Sequence, residues 1–342
     1  MIRLDGSDIK ISASMIGRNG AAIPSLDGLR AISILLVLSA HLLPLGPKAL
    51  QLNATAGAMG MSLFFTLSGF LIVKTLQKDT VTEFIVKRMA RILPLVYAYL
   101  ILVSLVYGMS LQSAFGHVTF IINYFPDLMI PTTEHLWSLC VEIHFYGLVA
   151  LAVALMGRRG LLLVWPLCIL ITGIRISQGA YIAIPTHLRI DEILIGGCLS
   201  TLAFNKIMAK QFSIFVWTSA AMCWFICSHP QTEWLQYLRP YAAGFLLVAT
   251  LHQSPNRLIK ILHSRSANYI ATISYALYVI HPFTAHGWWN AGAVWERYLL
   301  KRPISVAITF AAAHMSTFKW EKRWTAAARA WINSWRRRNS SI

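Results

Sequence analysis

The run Ile23-Pro24-Ser25-Leu26-Asp27-Gly28-Leu29-Arg30-Ala31-Ile32-Ser33-Ile34-Leu35-Leu36-Val37-Leu38-Ser39-Ala40-His41 decides how the chain is read. Ten residues, mostly apolar and none charged, separate Arg30 from His41. At about 100° and 1.5 Å per residue, a helix brings guanidinium and imidazole to within about 20° of one face, about 16 Å apart along its axis. The apolar run reads as a membrane helix. An ionisable pair on one stripe of such a helix marks a functional site.

The surrounding chain has the same character. Of 342 residues, 56% are hydrophobic and 13% charged, with a mean hydropathy of +0.58; a soluble globular chain carries about twice that charge. A spanning helix needs about 20 mainly apolar residues. Such runs recur near 31–48, 57–74, 93–110, 137–156, 161–178, 184–204, 212–228, 240–253, 268–286 and 303–319. The expected fold is all-α, a polytopic membrane helix bundle of about ten transmembrane helices.

A net charge of +17 invites a nucleic-acid reading, which the distribution of charge opposes. With the N-terminus in the cytoplasm, 23 of the 30 Lys and Arg fall on that side, Lys206 and Lys210 among them. The positive-inside rule then predicts ten spans with both termini cytoplasmic. The tail Trp335-Arg336-Arg337-Arg338 is expected on anionic lipid headgroups. Residues 1–22 lack an apolar stretch ending in a cleavage site and read as a cytoplasmic lead-in. The expected division is a lead-in at 1–22, a transmembrane domain at 23–320 and a basic cytoplasmic tail at 321–342. The segment 110–136 has no Lys or Arg and reads as re-entrant or interfacial; a full span there would invert the charge pattern after it. The five cysteines form no ligand or disulfide pattern.

Four further constellations carry possible chemistry. Phe64-Phe65-Thr66-Leu67-Ser68-Gly69-Phe70 sets a small pair in an aromatic run, read first as a helix-packing notch and second as a ligand contact. Arg88-Met89-Ala90-Arg91 places two guanidinium forks on one helix face, suited to phosphate oxygens, and Arg30 is expected on the same side. In His135-Leu136-Trp137-Ser138-Leu139-Cys140-Val141-Glu142-Ile143-His144-Phe145-Tyr146, Ser138 and Glu142 share a face with Phe145 or Tyr146. Glu142 there serves as a base, as an orienter of His41 or as an ion-pair partner. In Ser274-Tyr275-Ala276-Leu277-Tyr278-Val279-Ile280-His281-Pro282, Tyr278 and His281 share a face, read as aromatic belt and hydrogen-bonded helix end. Asp191, Glu192 and Glu321 stay open. There is no GxxxxGK[ST], GxSxG or HExxH, and the eleven histidines are scattered, so no metal is expected.

Taken in order, SLDGLR with His41, FFxxSGF, RxxR, HLWSLxxE followed by Phe145-Tyr146, and SYxLYxIHP resemble the acyltransferase 3 family of integral-membrane O-acyltransferases. The resemblance runs over nearly the whole chain. It implies transfer of an acyl group, commonly acetyl from acetyl-CoA, to hydroxyls of surface polysaccharide, lipopolysaccharide, peptidoglycan or glycosides, in a bacterial cytoplasmic membrane. It implies His41 as the essential histidine, as base or acyl carrier, Arg30 as its motif partner, and Glu142 as the carboxylate of the site. Arg88 and Arg91, with Ser68, fall to the acyl-CoA donor. The sequence departs from the family where Ile143-His144 replaces a second acid and an amide, and Phe318-Lys319-Trp320-Glu321-Lys322 lacks a following Pro. A transporter or flippase for a glycan or lipid-linked intermediate is the competing class; it predicts corresponding broken helices in two halves, which are not found. Trp288, Trp289, Trp295 and Arg297 are candidates for the acceptor side, though an interface belt is the first reading of the tryptophans.

Overall fold

The computed structural model describes residues 23–202, 212–252, 256–288 and 292–339. The lead-in 1–22, Lys206, Lys210 and Trp289 lie outside the described residues. Within them the chain is mainly helical, without a β-strand.

Helix α1 (Pro24–Leu42) starts at Pro24, where the missing N–H would have been unpaired anyway. It ends before Pro44 and Pro47, so it lies nearer the N-terminus than the apolar run alone predicts. Asn53 satisfies its last turn, donating to the carbonyls of Ala40 and Leu43 at 2.8 and 2.7 Å. Helix α2 (Leu52–Leu76) follows. Helix α3 (Val81–Tyr107) begins far ahead of the expected 93, because Thr80 and Glu83 form a reciprocal capping box. Arg88 and Arg91 therefore sit inside α3 rather than at its mouth. The segment 110–136 holds α4 (Leu111–Val118) and short 3₁₀ turns; eight residues cannot cross a bilayer.

The remaining helices are α5 (Trp137–Met156), α6 (Val164–Ser177), α7 (Asp191–Thr201), α8 (Ile214–Ser228) and α9 (Arg239–Leu251). They continue as α10 (Arg257–Leu262), α11 (Arg265–Ala285), α12 (Arg302–Met315) and α13 (Lys322–Asn339), with a π-helical turn at Ser316–Glu321. Each expected apolar run thus contains a helix. Four helical stretches, Pro24–Leu42, Lys48–Leu76, Val81–Tyr107 and Glu134–Ser177, are long and apolar enough to cross a membrane.

Helix α2 is the hub, packing most extensively on α7 and α1. The approach to α7 depends on bare glycine, since a Cβ on Gly69 would sit 1.9 Å from the carbonyl oxygen of Ile193. The packing notch is therefore real, and Gly69 forms it. Next to it a closed charge cluster joins α6, α7 and α9. Arg175 pairs with Asp191, Arg239 donates to Glu192 at 2.7 Å, and Arg189 lies 3.3 Å from Glu192. All five are buried, Arg189 being the most exposed at 3%. Asp191 and Glu192 are ion-pair partners, which settles their ambiguous reading.

Helix α13 folds back along α3. Arg336 pairs with Glu83, a carboxylate only 2% exposed, so this residue of the tail is held by the protein rather than left to lipid headgroups.

Candidate functional site

The site has two levels along α1. At the lower level Arg30 is joined to Asp27, 3.3 Å away. Its charge also interacts with those of Arg91, Arg88 and Glu142. Arg88 is steadied by the hydroxyl of Thr75 at 3.2 Å and by the faces of Phe84 and Tyr146, 5.7 and 5.9 Å from its guanidinium carbon. Arg91, one turn further along α3, is exposed. Glu142 on α5 accepts from Tyr146 OH at 2.6 Å. Tyr275 and Glu321 border the same field: Tyr275 donates to the Ile92 carbonyl at 2.7 Å, and Glu321 interacts with Arg91. Glu321 is in turn held by the hydroxyls of Ser316 and Thr317 in the π-helical turn. The structure thus brings Arg30, Arg88, Arg91 and Glu142 together from three helices, with guanidinium forks that carboxylates leave largely free.

At the upper level stands His41, one residue from the end of α1. It is exposed, yet its ring lies 5.2 Å from that of His281, which is 1% exposed, so His41 opens onto space beside a buried imidazole. His135 follows, 5.4 Å from His281. Tyr278 OH donates to the His135 carbonyl at 2.5 Å, and Ser138 lies 2.5 Å from the same tyrosine oxygen. Phe64 stacks on Tyr278 at 5.9 Å and 9°. Ser68 sits half-buried one turn along α2 from Phe64. Arg30 and His41 keep to one continuous helix, which sets the levels about 16 Å apart.

One expectation shifts. Glu142 belongs to the arginine level, bonded to Tyr146, and the group beside His41 is His281. Sequence reasoning took His281 as a helix end, but α11 runs on to Ala285 with Pro282 inside it: Pro282 has no N–H for the carbonyl four residues back, and His281 Nδ1 donates to that carbonyl of Tyr278 at 2.8 Å. The pin through Nδ1 is seen only in the folded helix, and it turns Nε2 elsewhere. The spacing of four had already set Tyr146 on a face with Glu142, whereas no spacing placed Tyr275 and Glu321 beside the arginines.

A family model, described as an acyltransferase domain, matches residues 23–314. The peptidoglycan O-acetyltransferase OatA of Listeria monocytogenes is 25% identical, over 76% of this chain and 49% of that protein. O-acetyltransferase OatA of Staphylococcus aureus strain NCTC 8325 is 24% identical, over 76% and 50%. A putative O-acetyltransferase of S. aureus strain COL matches at 24%, over 76% and 50%. The chain spans about half the length of these curated relatives. No solved structure matches. The motifs read in order and the family match over most of the chain agree: this chain belongs to the acyltransferase 3 family, whose members are membrane acyltransferases.

Proposed function

We propose that the protein moves an acyl group, most simply acetyl, from acyl-CoA to a hydroxyl of a cell-surface glycan, acting from a bacterial cytoplasmic membrane. The observation that carries this reading is the two-level site, with three arginines at one end of α1 and an accessible histidine at the other. Phosphates of the donor rest on Arg88, Arg91 and Arg30, whose forks suit phosphate oxygens. The extended thioester arm passes Ser68 and reaches His41 across about 16 Å of helix. His41 takes the proton of the acceptor hydroxyl, the oxygen bonds to the thioester carbon, the carbon–sulfur bond breaks, and the proton passes to the leaving sulfur. Acyl-His41 as a covalent intermediate is the variant of this mechanism. Glu142 and Tyr146 shape the field under the arm.

The glycan acceptor rests on the names of the relatives, and peptidoglycan is the first to try. In this reading the ten apolar helices cross the membrane with both termini cytoplasmic, the arginine level inside and the histidine level toward the far face. The test is mass spectrometry of surface glycans from cells lacking the protein, complemented with wild type or His41→Ala at matched membrane levels. An acyl increment that returns with wild type and stays absent with His41→Ala supports the reading. Full acylation with His41→Ala ends the role of His41, and no acyl difference in any strain ends the glycan acceptor.

A further inference from the structure

Among the described residues no carboxylate is bonded to His41, and a base that must present one bare nitrogen to a hydroxyl needs its other nitrogen held. Its ring neighbour is His281, at 5.2 Å and 52°. The tautomer of His281 follows from the chain. Pro282 frees the Tyr278 carbonyl, a carbonyl only accepts, and so Nδ1 of His281 carries the proton it donates there at 2.8 Å. Nε2 is then a bare acceptor. It is fully buried and has no partner among the described residues. A buried acceptor left unmatched has given up its hydration without return, so an orphan of this kind calls for a reason.

His135 is built the same way. Its Nε2 donates to the Val279 carbonyl at 3.1 Å, which leaves Nδ1 bare and also unpartnered. Two bare acceptors cannot bond each other, so His135 cannot supply the missing donor to His281. Tyr278 OH is already committed to the His135 carbonyl. The remaining ring in contact that can donate is His41.

We propose that His281 is the positioning residue of the acyl transfer: its bare Nε2 accepts the N–H of His41, fixes the tautomer of that ring, and leaves the opposite nitrogen of His41 free to take the acceptor's hydroxyl proton. This rests on His41 acting as base. During transfer His41 holds a proton on both nitrogens, and the bond to His281 stabilises that cation without a carboxylate beside it. His281 changes no covalent bond and touches no substrate. The Ile-His-Pro order is the device: the proline frees the carbonyl, the carbonyl sets the tautomer, and the tautomer aims the acceptor.

The experiment measures alkali-labile acetate from envelopes of a deletion strain complemented with each variant, normalised to membrane level, alongside acetyl-CoA-dependent thermal stabilisation of the purified protein. His281→Phe fills the space without an acceptor. Acetate is expected to fall about 10- to 100-fold, part of the 10²–10⁴ that a general base supplies. Thermal stabilisation by acetyl-CoA stays at the wild-type level, because the donor's phosphates bind at the arginine level. His281→Gln, with an amide oxygen near the Nε2 position, recovers activity in part, and His281→Asn, too short to reach His41, does not. His41→Ala combined with His281→Phe is no worse than His41→Ala alone, as for residues acting as a unit. Near-wild-type acetate with His281→Phe, or equal activity of the Gln and Asn variants, overturns the proposal while leaving His41 as base. Undiminished acetate with His41→Ala instead overturns the base itself. If His281→Phe does not accumulate, the Gln and Asn pair decides.

Discussion

Among the described residues, two groups of three arginines that converge from different segments differ in what touches their guanidinium groups. In the α6–α7–α9 cluster, Arg175, Arg189 and Arg239 meet Asp191 and Glu192 directly, at no more than 3% exposure. In the α1–α3–α5 cluster, Arg30 alone touches a carboxylate, Asp27, while Arg88 leans on a hydroxyl and two aromatic faces and Arg91 is exposed. The first meets acids of its own in the interior and ties helices together. The second leaves Arg88 and Arg91 without a carboxylate in contact, the arrangement that the proposed donor site needs. Residue type is the same in both; the placement of the acids decides between scaffold and site.

The sharpest way to break this contrast is Asp191→Ala. Removing one partner of a buried pair costs about 3–5 kcal/mol, so folded yield and melting temperature in detergent should collapse; a wild-type melt would mean the closed cluster is not structural. Arg91→Ala should do the reverse, leaving the melt within about 0.5 kcal/mol while weakening acetyl-CoA binding; Arg88→Ala should weaken it too, with a modest fall in the melt from the lost contacts to Thr75, Phe84 and Tyr146. Each lost charge-assisted bond is worth about 1.5–3 kcal/mol, or about 10- to 150-fold in Kd, readable by calorimetry on the purified protein. Unchanged donor affinity in both variants would remove the anion site from the open cluster. Gly69→Ala, at the α2 approach to α7, should cost about 1–3 kcal/mol through overpacking, since the added Cβ meets the Ile193 carbonyl oxygen. The smallest effect belongs to Arg336→Ala, an exposed guanidinium at the edge of the bundle, for which a slight fall in melting temperature without loss of acyl transfer is expected.

Much of the open site was legible in the sequence for reasons of periodicity. Arg30 and His41 stand eleven positions apart on one helix, and Arg88 and Arg91 stand three apart on another, so helical geometry alone groups each pair. That α1, α3 and α5 converge, bringing Glu142 and Tyr146 under the arginines, is a matter of packing that no spacing encodes. Helix boundaries moved where local chemistry outranked hydropathy, at Pro24, at Pro44 and in the Thr80–Glu83 capping box. The 3₁₀ turns of 122–136 left the apolar run there short of a span, in keeping with the charge pattern after it, which a span would have inverted.

By itself the sequence determined the helical class and the family and singled out the arginines and His41 as candidates, because composition, 3.6-residue periodicity and ordered motifs are local properties of the chain. Only the tertiary structure decided who stands next to whom. His281 rather than Glu142 lies beside His41, Asp191 and Glu192 close one arginine cluster, and Glu83 captures Arg336. Those choices are made by long-range packing: buried charges and buried acceptors must find partners wherever the folded helices put them.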